Sequence, residues 1–195
     1  RALGGAKNHM LVLPGADLNL VADSAVNAGF GSAGERCMAI SVVVAVEPVA
    51  DEMIEKIVEK MSQIKVGDGR RSCDMGPLVT KEHRDKVAGY IEIASADGAK
   101  VVVDGRNVEP DGDQAGFWLG PTLIDQVPTT SKVYQEEIFG PALTVIPFSD
   151  ESHAVQIAND VEYGLAGYLW TGDSGRAHRV ARDLEVGMVW INSQN

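Results

Sequence analysis

Apolar residues in this chain occur either in short unbroken runs or at intervals of three and four positions. The first pattern is typical of buried strands and the second of amphipathic helices. The unbroken runs predict strands at residues 9–13, 40–46, 100–103, 117–124, 142–148, 166–171 and 187–191. The spaced runs and their capping residues predict helices after Asp17, at 51–64, at 81–96, from Asp150 or Ser152, and at 174–186.

This order of elements predicts an α/β fold with a mainly parallel sheet flanked by helices. Residues 108–116 are rich in Asp and Gly and are predicted to form a surface loop. At 195 residues and 45% hydrophobic content, the chain is long enough for one good core. We therefore treat residues 1–195 as a single domain.

Charge and cysteine usage narrow the class of partner. The formal net charge of -11 disfavours nucleic acid and anionic membrane surfaces. Two cysteines and four scattered histidines match neither a zinc spacing nor a disulfide framework, so we predict no metal site and a reducing, cytoplasmic location. No apolar run approaches the roughly 20 residues that span a bilayer. Small molecules are the expected partners.

Cys37 is the main candidate for chemistry. It follows the small residues Gly31–Gly34, between a predicted helix and a predicted strand, and Arg36 beside it favours the thiolate. On this stretch alone, a buried structural cysteine is an equally good interpretation. Cys73 lies in a predicted loop without such a setting, and we predict that it is not reactive.

Residues 29–34 match the dinucleotide-binding pattern G-x-G-x-x-G letter for letter. That motif requires a strand before it and a helix after it, so that the pyrophosphate meets a helix N-terminus. Here a predicted helix precedes the glycines and a predicted strand follows them. We therefore interpret these glycines as residues that keep bulk away from Cys37.

Several short motifs resemble the aldehyde dehydrogenase family in the same order along the chain. The two most specific are Gly34-Glu35-Arg36-Cys37 and Glu137-Ile138-Phe139-Gly140-Pro141. The others are Gly4-Gly5-Ala6-Lys7-Asn8, Met75-Gly76-Pro77-Leu78, Gly120-Pro121-Thr122-Leu123, Tyr163-Gly164-Leu165-Ala166 and Gly187-Met188-Val189-Trp190-Ile191-Asn192. The resemblance covers essentially the whole chain. It implies the catalytic domain of that family, with most of the NAD-binding domain absent from this chain.

The resemblance also implies roles for individual residues. Cys37 would attack an aldehyde, a hydride would pass to NAD or NADP, and the resulting thioester would be released to water or to another thiol. The backbone N–H of Cys37 would help to bind the oxyanion. Glu137 would bind the ribose hydroxyls of the cofactor, and Phe139 would support the nicotinamide region. Outside this motif, the two residues would be interpreted as a surface carboxylate and a core aromatic.

One departure from the family pattern bears on how the thioester is released. Many hydrolytic members have a Glu before Leu-Gly-Gly-Lys, which activates the deacylating water, and the alignment places Leu3 there. Release to coenzyme A needs no base at that position. Much of the chain resembles the CoA-acylating methylmalonate-semialdehyde dehydrogenase branch, in which Arg36 would bind the substrate carboxylate. A loop-bracing role for Arg36 is an equally good interpretation.

From Gln135 onward the chain is more similar to hydrolytic semialdehyde dehydrogenases. Three hypotheses therefore stay open: a CoA-acylating enzyme, a hydrolytic enzyme that releases the free acid, and a domain that kept the fold but has no turnover of its own. The resemblance also implies a homo-oligomer in the full-length enzyme.

Overall fold

The computed structural model describes residues 4–112 and 114–194, so Leu3 lies outside the described residues. One seven-stranded sheet organises them, in the strand order β3-β4-β5-β2-β1-β6-β7. Every neighbouring pair is parallel except β3 and β4. The strands are β1 Asn8–Val12, β2 Ile40–Val46, β3 Lys100–Val103, β4 Thr122–Asp125, β5 Ala142–Phe148, β6 Ala166–Trp170 and β7 Met188–Ile191. The predicted α/β fold with a mainly parallel sheet is confirmed.

Helices pack against this sheet, and all of those named next except α2 begin at a polar cap. They are α1 Leu18–Phe30, α2 Glu47–Met61, α3 Lys81–Ala96, α4 Lys132–Gln135, α5 Glu151–Asn159 and α6 Ser174–Asp183. The Asp17 and Asp150 side chains accept hydrogen bonds from backbone N–H groups in the first turns of α1 and α5, as predicted for N-caps. No helix among residues 4–112 and 114–194 combines the length and the apolar character needed to cross a membrane.

Most boundaries agree with the sequence, and the starts of α2 and β4 differ for physical reasons. Helix α2 begins at Glu47 rather than at residue 51, because Pro48 lies in the first turn, where a proline has no intrahelical bond to lose. Helix α2 also ends three residues earlier than predicted, at Met61. Strand β4 begins only at Thr122, since Phe117 instead pairs with Leu78 in an isolated bridge. Helix α6 ends at Asp183, three residues earlier than predicted.

The candidate site lies at the amino-terminal edge of the parallel strands. Ala6, Cys37, Gly140, Leu165 and Gly187 each lie one to three residues before β1, β2, β5, β6 and β7, respectively. Open α/β sheets usually bind their ligands at the carboxyl edge. The parallel register therefore gathers short loops from five strands at the edge that this fold class uses less often.

Candidate active site

A groove of about 990 Å³ opens at this edge, and Cys37, Glu137 and Phe139 all line it. Its other walls are formed by small and apolar residues with one further carboxylate: Gly4, Gly5, Ala6, Gly164, Leu165, Leu184, Glu185, Val186 and Gly187. The structure thus brings together three of the four predicted site residues. Cys73 is half-buried and does not line the groove.

Cys37 lies in an exposed turn that follows a strongly bent loop. Ser32, Ala33 and Gly34 have φ angles of 54°, 55° and 72°, three consecutive residues in the left-handed region. The turn is closed by a hydrogen bond of 3.1 Å from the Ala39 N–H to the Arg36 carbonyl. The chain therefore reverses sharply after α1 and presents the thiol before it enters β2.

Two buried polar side chains hold this turn in place. Asn8 Nδ2 donates to the carbonyls of Cys37 (3.0 Å) and Ala39 (2.9 Å), while its Oδ1 accepts from the Ala166 N–H at 3.2 Å. The Tyr168 hydroxyl donates to the Met38 carbonyl at 2.7 Å. Burial raises the pKa of Tyr168 to about 12, so this donor keeps its proton at neutral pH. The backbone of Cys37 and of the two residues after it is thus tied to β1 and β6.

Arg36 is engaged with the end of α1. Its Nη2 donates to the carbonyls of Asn27 and Ala28, each at 3.1 Å, and a Cβ on Gly31 would lie only 3.1 Å from that nitrogen. A cation that satisfies the last carbonyls of a helix stabilises its C-terminus. These contacts support the loop-bracing interpretation. The substrate-binding role of Arg36 stays a prediction, and Arg36 lines a small pocket beside the groove together with Cys37.

Glu137 is fixed by the segment that leads into β1. Its Oε1 accepts a hydrogen bond of 2.9 Å from the Ala6 N–H. A Cβ on Gly5 would lie 2.9 Å from Oε2, so the close approach of the carboxylate depends on a glycine at that position. The carboxylate is therefore held on the wall of the groove that Cys37 also lines.

Phe139 has a backbone conformation that residues other than glycine rarely adopt. Its φ is 58°, and the side chain is 37% exposed although it is a large apolar group. Its carbonyl accepts a hydrogen bond of 2.6 Å from His83 Nε2. A left-handed non-glycine residue stores strain, and such residues occur often at ligand sites. The aromatic face that this conformation exposes in the groove suits a flat ligand.

The cysteine loop and the Glu137 segment pack directly on each other through two glycines. A Cβ on Gly34 would lie 2.3 Å from the Gly140 carbonyl oxygen, and a Cβ on Gly140 would lie 2.7 Å from Val87 Cγ2. The expectation that the glycines of residues 29–34 keep bulk away from Cys37 stays a prediction. Two of them have a further role, since a Cβ on Gly31 would lie 3.1 Å from Arg36, and Gly34 allows close packing on Gly140 at a φ of 72°.

Lys7 is a buried side chain that contacts the segment leading to Glu137. Its Nζ donates to the carbonyls of Val133 (2.7 Å) and Glu136 (2.9 Å). Burial lowers the pKa of Lys7 to about 7, against the opposing attraction of Glu137 and Glu136. Lys7 thereby links β1 to the residues immediately before Glu137.

Sequence reasoning missed Asn8, Tyr168 and the anchoring role of Lys7. The available signal was weak: polar residues within or directly before strands that are otherwise apolar, which must find partners once they are buried. Among residues 4–112 and 114–194, no group of three or more His, Cys, Asp or Glu side chains could hold a metal ion.

Comparison with known proteins agrees with this geometry. The model of the aldehyde dehydrogenase family matches residues 2–195. The malonate-semialdehyde dehydrogenase of Pseudomonas aeruginosa is 46% identical over 98% of this chain and 39% of its own length. The chain thus spans about two fifths of that relative.

Two solved structures show the same architecture. The methylmalonate-semialdehyde dehydrogenase of Oceanimonas doudoroffii superposes with a TM-score of 0.95 at 42% identity, over 98% of this chain and 40% of that one. The betaine aldehyde dehydrogenase of Staphylococcus aureus, in complex with NAD+, gives a TM-score of 0.94 at 38% identity, over 98% and 38% of the two chains. The motifs, the fold and these similarities agree, and the chain belongs to the aldehyde dehydrogenase family.

Proposed function

We propose that this chain is the catalytic domain, residues 1–195, of an NAD(P)-dependent aldehyde dehydrogenase, in which Cys37 is the nucleophile. The observation that carries the proposal is the convergence of Cys37, Glu137 and Phe139 on one groove from segments about a hundred residues apart in sequence.

The groove fits part of a nicotinamide nucleotide. Glu137 offers two carboxylate oxygens, of which Oε1 is braced by the Ala6 N–H, and ribose hydroxyls are suitable donors to such a carboxylate. Phe139 offers a partly exposed ring that would support the nicotinamide region. Glycines along the wall leave space for a flat ligand. Hydride acceptance is the chemistry that bound NAD or NADP supplies.

Cys37 would perform the covalent chemistry. Its Sγ would attack the carbonyl carbon as the thiolate, so that a C–S bond forms and the carbonyl oxygen becomes an oxyanion, which the Cys37 backbone N–H would help to bind. Hydride would then pass from that carbon to bound NAD or NADP as the C=O bond forms again, which leaves an acyl thioester on Sγ. An external nucleophile then attacks the thioester carbon, and the C–S bond breaks to return the thiolate. The hydrogen bonds from Asn8 and Tyr168 to this turn would keep Sγ in register throughout.

We propose a carboxylated semialdehyde as substrate and coenzyme A as acyl acceptor. Two relatives named for malonate and methylmalonate semialdehydes support the substrate class. Leu3 at the position of the hydrolytic general base supports transfer to a thiol rather than to water. In this proposal Arg36 binds the substrate carboxylate, which would compete with the Asn27 and Ala28 carbonyls for Nη2. The alternative is hydrolysis to the free acid, which the resemblance of the last third favours.

Assembly into a homo-oligomer and a cytoplasmic location are further proposals. They rest on the family resemblance and on the cysteine usage of the sequence. The chain spans 39% of the Pseudomonas aeruginosa relative. We therefore also propose that the 195-residue chain has no turnover by itself, whichever acyl acceptor the complete polypeptide uses.

The decisive experiment follows NADH formation by the complete polypeptide that contains this chain, with malonate semialdehyde, in the presence and absence of coenzyme A. Acyl-CoA and free acid are quantified as products. We expect CoA-dependent turnover, its loss in Cys37→Ala, and its retention in Cys73→Ala. Equal rates with and without CoA, with free acid as product, would establish the hydrolytic alternative. Activity in Cys37→Ala would refute the assignment of the nucleophile.

A further inference from the structure

One face of helix α3 contacts the segment 136–140, which carries both Glu137 and Phe139. His83, Val87 and Tyr90 are spaced at i, i+4 and i+7, as on a single helix face. Val87 is fully buried and packs on Gly140 so closely that a Cβ there would lie 2.7 Å from its Cγ2. The two polar residues flank this apolar contact, and each reaches a different part of the segment.

His83 reaches the strained residue. Its Nε2–H donates to the Phe139 carbonyl at 2.6 Å, and the two rings meet edge to face with centroids 6.1 Å apart. Glu35 Oε1 lies 3.6 Å from the same nitrogen, and Glu35 is two residues before Cys37. The imidazole therefore lies between the cysteine loop and the segment 136–140. A hydrogen bond to the Phe139 carbonyl restricts rotation of that peptide and opposes relaxation of the left-handed backbone.

Tyr90 reaches the neighbouring carboxylate. Its hydroxyl donates to Glu136 Oε2 at 2.5 Å, while Glu137 accepts from the Ala6 N–H on a different element. Burial, together with the bond to Glu136, raises the pKa of Tyr90, so the phenol stays a donor across the physiological range. The two adjacent carboxylates are thus bound to different elements, and Glu137 is the one that lines the groove.

Helix α3 is a firm support for these contacts. The Thr80 side chain caps its N-terminus by accepting from the His83 N–H at 3.1 Å, which places His83 in the first, capped turn. Farther along, Val87, Ile91 and Ala94 are fully buried in the core. Because helix α3 is fixed at its cap and along its apolar face, its side chains can restrict the movement of the segment that they contact.

We infer that His83 and Tyr90 are positioning residues that hold the segment 136–140 in the conformation that presents Glu137 and Phe139 to the cofactor. Neither residue is among the described residues that line the groove, so each acts through the segment. That this conformation favours NAD binding rests on the proposed function. That His83 and Tyr90 hold the segment in this conformation rests on the contacts alone.

The functional test compares His83→Ala, His83→Gln and His178→Ala in the complete polypeptide. The amide nitrogen of Gln can reach the place of Nε2, whereas His178 is an exposed histidine on α6 and serves as the matched control. We expect His83→Ala to raise the KM for NAD about tenfold, with kcat changed less than twofold, since one hydrogen bond to a strained carbonyl is lost. His83→Gln should restore most of the affinity, and Tyr90→Phe should shift KM in the same direction by less.

The conformational test needs no activity. Hydrogen exchange of the peptide that contains residues 136–140 should become about tenfold faster in His83→Ala and stay unchanged in His178→Ala. Unchanged exchange at this segment would overturn the inference, as would faster exchange throughout the chain with an unchanged KM. An inactive wild-type polypeptide would refute the proposed function, and the exchange result would still decide the positioning role. If His83→Ala does not fold, the same comparison with Tyr90→Phe, which removes only one hydroxyl, decides it.

Discussion

Four left-handed residues lie in the two segments that meet at the groove: Ser32, Ala33 and Gly34 before Cys37, and Phe139 beside Glu137. Three of them have side chains, and each such conformation costs on the order of 1 kcal/mol. Hydrogen bonds oppose relaxation of these two segments, because His83 binds the Phe139 carbonyl and Asn8 binds the Cys37 carbonyl. Backbone strain is therefore concentrated in the segments that carry the thiol and the aromatic ring.

The difference between the two cysteines gives the first prediction. Cys37 is exposed in a turn at the groove, whereas Cys73 is half-buried and would contact a Cβ on Gly67 at 2.8 Å. We expect iodoacetamide at neutral pH to alkylate Cys37 about tenfold faster, because access to the thiolate limits the rate. Mass spectrometry of a time course measures both rates, and Cys73→Ser should leave the Cys37 rate unchanged. Faster labelling of Cys73 would contradict the assignment.

A second prediction concerns Gly34. Substitution by Ala places a Cβ 2.3 Å from the Gly140 carbonyl oxygen, at a φ of 72°. The clash and the left-handed backbone together should lower the free energy of unfolding by about 2–4 kcal/mol. Gly89→Ala is the matched control, since nothing lies within 4 Å of its Cβ and the position is helical.

Urea unfolding measures both Gly→Ala variants. Gly89→Ala should stabilise by about 0.5–1 kcal/mol, because alanine replaces glycine within a helix. The two substitutions are chemically identical, so opposite signs would show that local geometry decides the outcome. A neutral Gly34→Ala would mean that the cysteine loop can move away from Gly140.

At the scale of elements, the sequence predicts best where one local pattern dominates. Strands β2 and β5 have the predicted bounds because their β-branched and apolar runs are unbroken. The four-residue helix α4 was missed, since so short a helix has no periodicity to detect. The start of α2 was misplaced by four residues, since the sequence analysis did not use Pro48, which is favoured in a first turn.

The candidate site was predictable to a different extent. Cys37 has a local signal, but Glu137 and Phe139 were identified only through the family motif. Asn8, His83 and Tyr168 act through contacts between positions 29 to 158 residues apart, and no local pattern contains such contacts. Arg36 shows the converse: its neighbour in sequence is the thiol, whereas its hydrogen bonds go to the end of α1.

The link between β1 and α4 through Lys7 gives a prediction about pH. Burial lowers the pKa of Lys7 from its ordinary value of 10.5 to about 7. Between these values the unfolded chain binds more protons than the folded one, so Lys7 makes stability rise with pH there, by up to about 1.4 kcal/mol per pH unit. Below pH 7 Lys7 is protonated in both states, and its contribution no longer changes.

The measurement compares urea unfolding of the wild type and Lys7→Met at pH 7, 8 and 9. We expect the stability of the wild type relative to the variant to increase at each step. Lys132→Met, which removes an exposed lysine on α4, should show no such trend and controls for the loss of a charge. A constant difference between wild type and Lys7→Met would show that Lys7 keeps its proton throughout this range.

At the scale of the whole molecule, the groove lies at the amino-terminal edge of the sheet. Several of the strands contribute only the one or two lining residues that precede them. Gly4 and Gly5 precede β1, Gly164 and Leu165 precede β6, and Gly187 precedes β7. Such a groove supplies few polar groups of its own: Glu137 and Glu185 are its only charged lining residues in the described part of the chain. A dinucleotide with two phosphates needs more partners than these.

The last prediction follows from this shortage. In the proposed function, Glu137 and Phe139 would bind only the nucleoside at one end of NAD, and this chain spans 39% of the length of the Pseudomonas aeruginosa relative. Since each 1.4 kcal/mol corresponds to about tenfold in affinity, the loss of a few contacts is enough to move a micromolar site beyond about 1 mM. We therefore expect calorimetric titration of the 195-residue chain to give a Kd for NAD weaker than about 1 mM.

The complete polypeptide should bind NAD at least about tenfold more tightly. In that polypeptide, Glu137→Gln should weaken binding, because a neutral amide is a poorer acceptor for ribose hydroxyls. Micromolar binding by the 195-residue chain would show that the groove holds the dinucleotide through its own residues alone, and it would move the cofactor site wholly into this domain.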